Sequence, residues 1–362
     1  MKQAAAAAYV RQLSALGLGP KTFVPELLRA FHAVIPSHLN VFMFADRNGG
    51  LSDICSEYPK FLELSVAFLR DYVHGADGIP GFAECMHTKY GVEANEGVFP
   101  GEQFFRSDYY NTIFRPQGIH LPMQLAVRDR AGQSLGALLV YRGPEERSYS
   151  SQEMRLMATF LPHIAHGMQP RPSLIGGTSE TEERGLLIVR PPAHLLYASP
   201  QARSLAHFAL DRTPDGTGER GVDERLLPIL TRLCGNLRDA FAGREASPPS
   251  ASLKSAWGLF LLRAYWLESI EAQENGLVGV TIERHEPLSL HLLRNMRASG
   301  LTERQREFCL LLFEGLSIPA VSKRLRVSQH TIVDHLKKIY LKLDVHNRDE
   351  LRNKLESGSA AR

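Results

Sequence analysis

The side chains best suited to chemistry lie between positions 302 and 342, near the C-terminus. They are amines, hydroxyls, an amide, imidazole and a carboxylate, with one apolar valine among them. Such groups neutralise phosphates or form hydrogen bonds with the edges of nucleic-acid bases. The chemistry indicated is therefore recognition rather than catalysis. The candidate contact residues are Thr302, Lys323, Ser328, Gln329, His330, Thr331, Val333, Asp334, Lys337, Lys338 and Lys342.

Four predicted helices position these residues. Each begins at a residue whose side-chain oxygen accepts unpaired N–H groups of the first turn. Two of them, over 318–325 and 329–343, are separated by a three-residue turn. A short turn joining two helices, with cationic and polar groups on the outer face of the second, is typical of a helix-turn-helix. Capping is assigned to Thr302, Ser317, Ser328 and Asn347, and the inner face of the third helix to Ile332, Leu336, Ile339 and Leu343.

Charge is unevenly distributed along the 362 residues, although the net charge is only +3. Residues 288–362 contain 14 Lys and Arg against 8 Asp and Glu, a net charge of +6. The remainder contains 28 Lys and Arg against 31 Asp and Glu, a net charge of −3. A basic excess on one compact helical segment is expected of a module that binds nucleic acid.

The order and spacing of residues over about 55 positions of this segment resemble the LuxR-type helix-turn-helix signature. The resemblance implies a four-helix domain that binds double-stranded DNA, with 318–337 as the helix-turn-helix proper. It also implies a transcriptional regulator that binds a two-fold-related site as a homodimer. The residues that carry the resemblance are Leu301, Thr302, 314–317, Val321, Ser322, Leu325, Val327, Ser328, Thr331, Ile332, His335, Ile339, Lys342, Leu343, Val345 and 348–351.

Four positions depart from the family pattern, so the family's base preference is not carried over to this chain. In one interpretation, Asp334 on the outer face accepts a hydrogen bond from a cytosine amino group. In the other, Asp334 pairs with Lys337 or Lys338 in the free protein. The departures are Gln305, Pro319, Val333 and Asp334.

The first 170 residues predict a small domain of mixed strands and helices. Its clearest part is a hairpin, because two apolar segments over 119–127 and 134–141 flank a polar turn. Ser150 with Glu153 is a helix-start signal, and the helix is predicted to extend to Gly167. The other predicted elements are two helices within 3–35, a strand over 40–44, and helices over 59–73 and 102–115.

A second mixed domain is predicted after a polar segment that lacks periodicity and is interpreted as a linker. Ser199 followed by Pro200 begins a helix, since proline is favoured in a first helical turn. The remaining predictions are strands over 185–190, 194–197, 257–266 and 276–283, a loop over 211–220, a helix over 223–242 and a connecting helix over 286–299.

Both regions are similar to sensor domains. Residues 106–118, the hairpin and 149–163 resemble a GAF-type domain, and 185–285 is similar to a PAS-like fold. These resemblances imply small-molecule sensing or dimerisation. Two other sensor types, an acyl-homoserine-lactone domain and a phosphoacceptor receiver, are not supported, because the residues that each would need are missing from this region. The predicted division is 1–170 GAF-like, 171–184 linker, 185–285 PAS-like, 286–299 connecting helix and 300–358 LuxR-type, which gives an α+β sensor region followed by an all-α four-helix domain.

Several other side chains allow two interpretations. His163 and His166 either share a metal or lie on a helix surface, the latter being favoured. His194 and His207 either ligate a haem or are structural, and the structural role is favoured. Trp257, Phe260, Tyr265 and Trp266 line a ligand pocket or pack in a core, and packing is favoured. Cys309 is expected to point inward. No cofactor, metal or catalytic residue is assigned.

Composition and missing motifs further narrow the class of protein that this sequence can be. Four dispersed cysteines favour reduced thiols in the cytoplasm, and no signal peptide or membrane-spanning segment is expected. Common nucleotide-binding, hydrolase and metalloprotease motifs are missing, so an enzyme is not expected. We predict a cytoplasmic DNA-binding regulator whose N-terminal domains respond to a small molecule, with contact to RNA polymerase as a further option. The alternatives are an enzyme-like N-terminal region fused to a DNA-binding tail, and an interaction module that no longer binds DNA.

Overall fold

The computed structural model describes residues 2–48, 50–57, 91–94, 98, 101–108, 110–170, 175–210, 224–255, 257–268 and 276–358. The helix predicted over 59–73 and the loop predicted over 211–220 lie outside them. Within the described ranges, no helix combines the length and apolarity needed to cross a membrane. The described residues form two compact units, one made of those up to 179 and from 287 onward, the other of Glu180–Glu286.

A five-stranded sheet lies in the first unit, together with helices that precede and follow its strands. The strands are β1 (Leu39–Ala45), β2 (Leu51–Ser56), β3 (Val92–Ala94), β4 (Leu121–Arg128) and β5 (Ser134–Arg142). The helices are α1 (Lys2–Ser14), α2 (Pro20–Phe31), α3 (Gly101–Arg106), α4 (Ser151–Ala158) and α5 (Leu161–Gly167). The strand order is β2-β1-β5-β4-β3, and all neighbours are antiparallel. The predicted hairpin and first strand are confirmed.

Close approach between β5 and β1 requires glycine at position 136. Gly136 pairs with Phe44 and has a φ of 147°. A Cβ atom there would lie 2.2 Å from the carbonyl oxygen of Met43. Because that contact involves backbone, a side chain at this position would separate the two central strands.

The end of β5 is held by Arg142, whose side chain is 2% exposed. Its guanidinium donates to the carbonyl oxygens of Pro36 and Arg147, both at 3.1 Å, and to Glu153 Oε1 at 2.8 Å. Glu153 also completes a capping box with Ser150 at the start of α4. The predicted helix start is thus confirmed, and one carboxylate joins the sheet to the helix.

Glu153 is expected to make the free energy of unfolding of the first unit depend on pH. Partial burial raises the pKa of its carboxyl, but hydrogen bonds from Arg142 and Ser150 outweigh burial and lower the pKa to about 2. A depressed folded-state pKa stabilises the fold above the unfolded value of 4.5, and this stabilisation is lost as pH falls through the folded value. We expect Glu153→Gln to be less stable at pH 7 and to lose less stability between pH 4.5 and 2.

Urea unfolding at a series of pH values measures this effect. Glu145 is an exposed acid in the loop that precedes α4, so Glu145→Gln is the matched control and should keep the wild-type pH dependence. If Glu153→Gln unfolds with the wild-type pH dependence, the assigned role of its carboxylate is wrong.

The second unit contains another five-stranded sheet and two longer helices. Its strand order, β7-β6-β10-β9-β8, repeats the order of the first sheet when each is numbered from its own first strand. The strands are β6 (Thr178–Arg190), β7 (His194–Ala198), β8 (Ser250–Ser255), β9 (Gly258–Leu267) and β10 (Leu277–Pro287), and the helices are α6 (Pro200–Ala209) and α7 (Leu227–Phe241). The helix predicted to begin at Ser199 is confirmed, because the Ser199 side chain caps α6.

Part of the predicted linker is a strand. Residues 178–184 belong to β6, although their acids, threonines and serine indicated a loop. Thr181 Oγ1 donates to the carbonyl oxygen of Arg284 at 2.8 Å, and Glu183 pairs with the Arg284 side chain at 3.0 Å. Partners on β10, about one hundred positions away, therefore satisfy the polar groups that resembled a linker. Strand β8 was also not predicted.

Two predicted helices of the first unit are interrupted. The helix predicted from Ser150 to Gly167 is divided into α4 and α5, because Pro162 lacks the N–H that a continuous helix would use. The helix predicted over 102–115 ends as α3 at Arg106 and is followed by a π-helix, Tyr110–Phe114, and a 3-10 helix, Arg115–Gln117.

The C-terminal part of the first unit is helical, as predicted. A connecting helix is followed by four helices whose predicted caps are all observed, at Thr302, Ser317, Ser328 and Asn347. These five helices are α8 (Leu288–Ala298), α9 (Glu303–Phe313), α10 (Ile318–Leu325), α11 (Gln329–Leu343) and α12 (Arg348–Glu356).

Candidate nucleic-acid interface

The turn between α10 and α11 places the two helices for contact with a groove. Arg326 ends α10 in the left-handed conformation, with a φ of 53°. Val327 N–H donates to the carbonyl oxygen of Ser322 at 3.2 Å, and Ser322 Oγ donates back to the carbonyl oxygen of Val327 at 2.6 Å. This reciprocal pair closes the turn tightly. Pro319 lies in the first turn of α10, where a missing N–H carries little cost.

Ser328 begins α11. Its Oγ accepts a hydrogen bond from Thr331 N–H at 3.1 Å, and the two side-chain oxygens lie 2.8 Å apart. Two predicted contact residues are therefore bonded to each other at the helix N-terminus. An N-terminus is also where unpaired N–H groups and the helix dipole favour a phosphate.

Removal of this cap should weaken the domain measurably. We expect Ser328→Ala to lower the free energy of unfolding by about 1 kcal/mol, because the Thr331 N–H loses its partner. Ser317→Ala is the matched control, since Ser317 caps α10 in the same way through Ala320 N–H. Urea unfolding should show similar losses for both variants, whereas DNA titration should show the larger affinity loss for Ser328→Ala. Equal DNA affinity for both variants would contradict a role of the α11 start in binding.

The inner face of α11 fixes its orientation within the domain. As predicted, Ile332, Leu336, Ile339 and Leu343 are buried. The ring of His335 also lies against Phe308 of α9, with 4.9 Å between ring centroids. The opposite face is consequently turned outward.

That outer face carries most of the predicted contact residues. Gln329, His330, Lys337 and Lys338 are exposed, and Thr331, Val333 and Asp334 are partly exposed. His330 Nε2 lies 3.5 Å from Asp334 Oδ2, one helical turn away. The predicted pairing of Asp334 with Lys337 or Lys338 is therefore replaced by pairing with His330, because the i−4 histidine lies on the same edge of the helix.

The remaining predicted residues lie in two other places. Lys323 is exposed on α10, beside the turn. Thr302 is occupied in the capping box of α9, and Lys342 Nζ donates to the carbonyl oxygen of Gly300 at 2.6 Å. Thr302 and Lys342 thus lie near one another, at the end of α11 away from its N-terminus, and both help to hold the start of α9.

Three arginines near the turn were not among the predicted contacts. Arg324 and Arg326 are exposed next to Lys323, and the local charge run was the available signal for them. Arg304 Nη2 donates to the carbonyl oxygen of Leu325 at 3.1 Å, which holds the last turn of α10. This role of Arg304 depends on a residue 21 positions away, so the spacing of residues within one helix does not predict it.

The other candidate residues lie on separate elements of the two units. Among the described residues, no group of three His, Cys, Asp or Glu side chains is close enough to hold a metal. Trp257 packs against Phe208 with 4.5 Å between centroids, whereas Tyr265 is on the outer face of β9 and exposed. His163 and His166 are half-buried on α5, His194 is exposed on β7 and His207 is half-buried on α6.

Cys309 points inward on α9, as predicted. The residue is fully buried, and burial raises the pKa of its thiol to about 12. A thiol with so high a pKa is almost entirely protonated at neutral pH, so packing explains this cysteine.

Comparison with known proteins identifies the helical segment. Residues 299–354 match the family model described as "Bacterial regulatory proteins, luxR family". No curated protein matches the chain. A solved structure titled "Crystal Structure of the E.coli DhaR(N)-DhaL complex" is 13% identical over 78% of this chain and 90% of that chain, with a TM-score of 0.20. At this TM-score the likeness does not establish a common fold.

Proposed function

We propose that this chain, whose residues 299–354 form a LuxR-type helix-turn-helix domain, regulates transcription by binding double-stranded DNA through α11. The observation that carries the proposal is the open outer face of α11. It combines exposed lysines with hydrogen-bonding side chains at a capped N-terminus, while its opposite face is buried. Such a helix fits the major groove.

The first turn of α11 is best placed to read bases. Gln329, His330 and Thr331 lie at the helix start, which enters the groove first in this type of domain. Lys337 and Lys338 follow two turns later and bind phosphate or the acceptor atoms of guanine. Asp334 accepts from a cytosine amino group if its contact with His330 is exchanged for the base.

Control by a signal is proposed for the two sheets. The two sheets share one strand order, which supports a sensor role for both regions. We assign the first as GAF-like and the second as PAS-like. A small molecule that binds two states unequally would shift their populations and change how a homodimer presents its two DNA-binding domains. We place the regulator in the cytoplasm, with RNA polymerase as a further partner, and assign it no catalytic role. The division into domains before β6 and at the connecting helix over 286–299 is part of this proposal, and residues 178–184 of the predicted linker belong to β6.

Selection from a random-sequence duplex library tests the proposal and requires no assumed operator sequence. The whole chain is bound to the library, and retained duplexes are amplified and sequenced. We expect enrichment of a two-fold-related motif, because a symmetric dimer presents two equivalent recognition helices. Enrichment of a single asymmetric half-site would contradict the dimer, and a lack of enrichment would contradict specific DNA binding.

A further inference from the structure

The first helix of the DNA-binding domain, α9, is buried on two faces. Phe308, Leu311 and Leu312 lie at helical spacing on one face and are buried. Arg306, Leu310 and Phe313 follow one another on a different face and are also buried, at 5%, 9% and 4% exposure. Helix α1 lies against α9, and Gln12 Nε2 donates to the carbonyl oxygen of Glu303 at 2.7 Å. The N-terminal helices therefore form a docking platform for the domain.

A partly buried polar network holds the connecting helix α8 to the same platform. The carboxylate of Glu26 on α2 receives Arg294 Nε at 3.1 Å and Nη2 at 2.7 Å. Tyr9 Oη on α1 donates to the same carboxylate at 2.5 Å, and Arg297 lies 4.2 Å from the centre of the Tyr9 ring. Helices α1 and α2 thus bind α8 immediately before the DNA-binding domain begins.

Arg306 orients the docked domain through two hydrogen bonds from its guanidinium. Its Nε donates to Gln12 Oε1 at 2.7 Å and its Nη1 to the carbonyl oxygen of Leu301 at 2.7 Å. Burial of a guanidinium is costly, and neutral oxygens offset that cost only when the geometry is met. A contact of this kind adds little stability but defines one position for the domain.

Docking leaves the DNA-binding face open. The His330 side chain is 85% exposed, and Lys337 and Lys338 are exposed, all within the same unit as the platform. The face of α9 that meets α1 is not the face that supports α11. A docked domain can therefore bind DNA. The docking contact with α1 does not act by covering the recognition helix.

We propose that Gln12, Glu26 and Arg306 are positioning residues that keep the domain docked, in an arrangement that leaves it competent to bind DNA. In a dimer, two docked domains lie at a defined separation, so the platform determines which spacing of half-sites is bound. This inference rests on the proposed function. It adds that spacing is specified by α1 and α2 rather than by the helix-turn-helix alone.

The test is affinity for a spacing series. Duplexes carry the selected motif with its half-sites at the selected distance, or with 2 or 5 base pairs added, and one duplex carries a single half-site. A shift of 5 base pairs places the second half-site on the opposite side of the helix. We expect the wild-type chain to lose about 100-fold in affinity on the altered spacings, because the second domain no longer binds intramolecularly.

Arg306→Gln and Gln12→Ala should both reduce this loss to below about tenfold, by releasing the domains. Single half-site affinity should remain within about twofold of wild type, since the DNA-binding face is unchanged. Gln12→Ala alters no residue of the DNA-binding domain, so it reports on docking even if Arg306→Gln unfolds that domain. Arg352→Gln, which removes an ion pair with Glu356 on the last helix, is the control and should keep the wild-type spacing dependence.

The outcomes separate this inference from the proposed function. If the wild-type chain fails to bind even the single half-site, the proposed function is wrong. If it binds the half-site but tolerates every spacing, or if Gln12→Ala discriminates spacings as the wild type does, the docking inference is overturned while DNA binding stands.

Discussion

Replacing Lys337 and Lys338 together by glutamate is expected to lower the affinity for duplex DNA at least about 100-fold. Each lysine that contacts phosphate or guanine contributes about 1–3 kcal/mol, and about 1.4 kcal/mol corresponds to a tenfold change in affinity. Glutamate also adds repulsion from the phosphates. Both side chains are exposed on the outer face of α11, so the packing of its inner face should be retained.

Fluorescence anisotropy with a labelled duplex measures the loss, and circular dichroism confirms the fold. The control is Lys254→Glu with Arg263→Glu, which makes the same change in net charge at two exposed strand residues of the second unit. We expect the control to bind within about threefold of wild type, because only the general electrostatic attraction changes. An equal loss in both double variants would show that net charge, rather than the α11 surface, governs binding.

Replacing Phe308 by alanine is expected to lower the stability of the LuxR-type domain by about 3–5 kcal/mol. Its ring is fully buried on α9 and tilted against His335 of α11, and the Arg304 guanidinium lies 5.2 Å from its centre. Truncation leaves a cavity between α9 and α11. The recognition helix then loses the surface that orients it, so DNA affinity should fall with stability.

Hydrogen exchange followed by mass spectrometry locates this effect within the chain. We expect exchange in peptides from 303–343 to accelerate at least about 100-fold in Phe308→Ala, while peptides from the central hairpin at 121–142 keep wild-type rates. Phe308→Leu should show a smaller acceleration, since it retains most of the buried volume. Unchanged exchange over 303–343 in Phe308→Ala would be inconsistent with a core organised around this ring.

The DNA-binding domain could be predicted almost completely because its signals are local. Thr302, Ser317, Ser328 and Asn347 each cap a helix within three residues of their own position. The apolar spacing of α11 likewise depends on one helix alone. The same spacing determines which side chains of α11 face solvent, so its outer face could be predicted without any tertiary contact.

The features that escaped prediction depend on contacts between distant residues. Thr181 lies in a strand because Arg284 accepts its hydrogen bond, and no neighbouring residue indicates this. Lys342 is bound to Gly300, and Arg306 to Gln12, across 42 and 294 positions. Sequence spacing predicted which face each side chain occupies, but not which distant element covers that face.

The salt dependence of DNA binding tests the central claim most directly. Affinity of the whole chain for the selected duplex is measured over a series of salt concentrations, for wild type and for Lys337→Ala. We predict that the logarithm of the association constant falls linearly with the logarithm of salt concentration, and that Lys337→Ala makes the slope shallower by about 1 if this lysine neutralises a phosphate. An unchanged slope with a loss of about 1–3 kcal/mol instead assigns Lys337 to a base. Binding that does not depend on salt, or an unchanged affinity and slope for Lys337→Ala, would contradict DNA recognition by this face of α11.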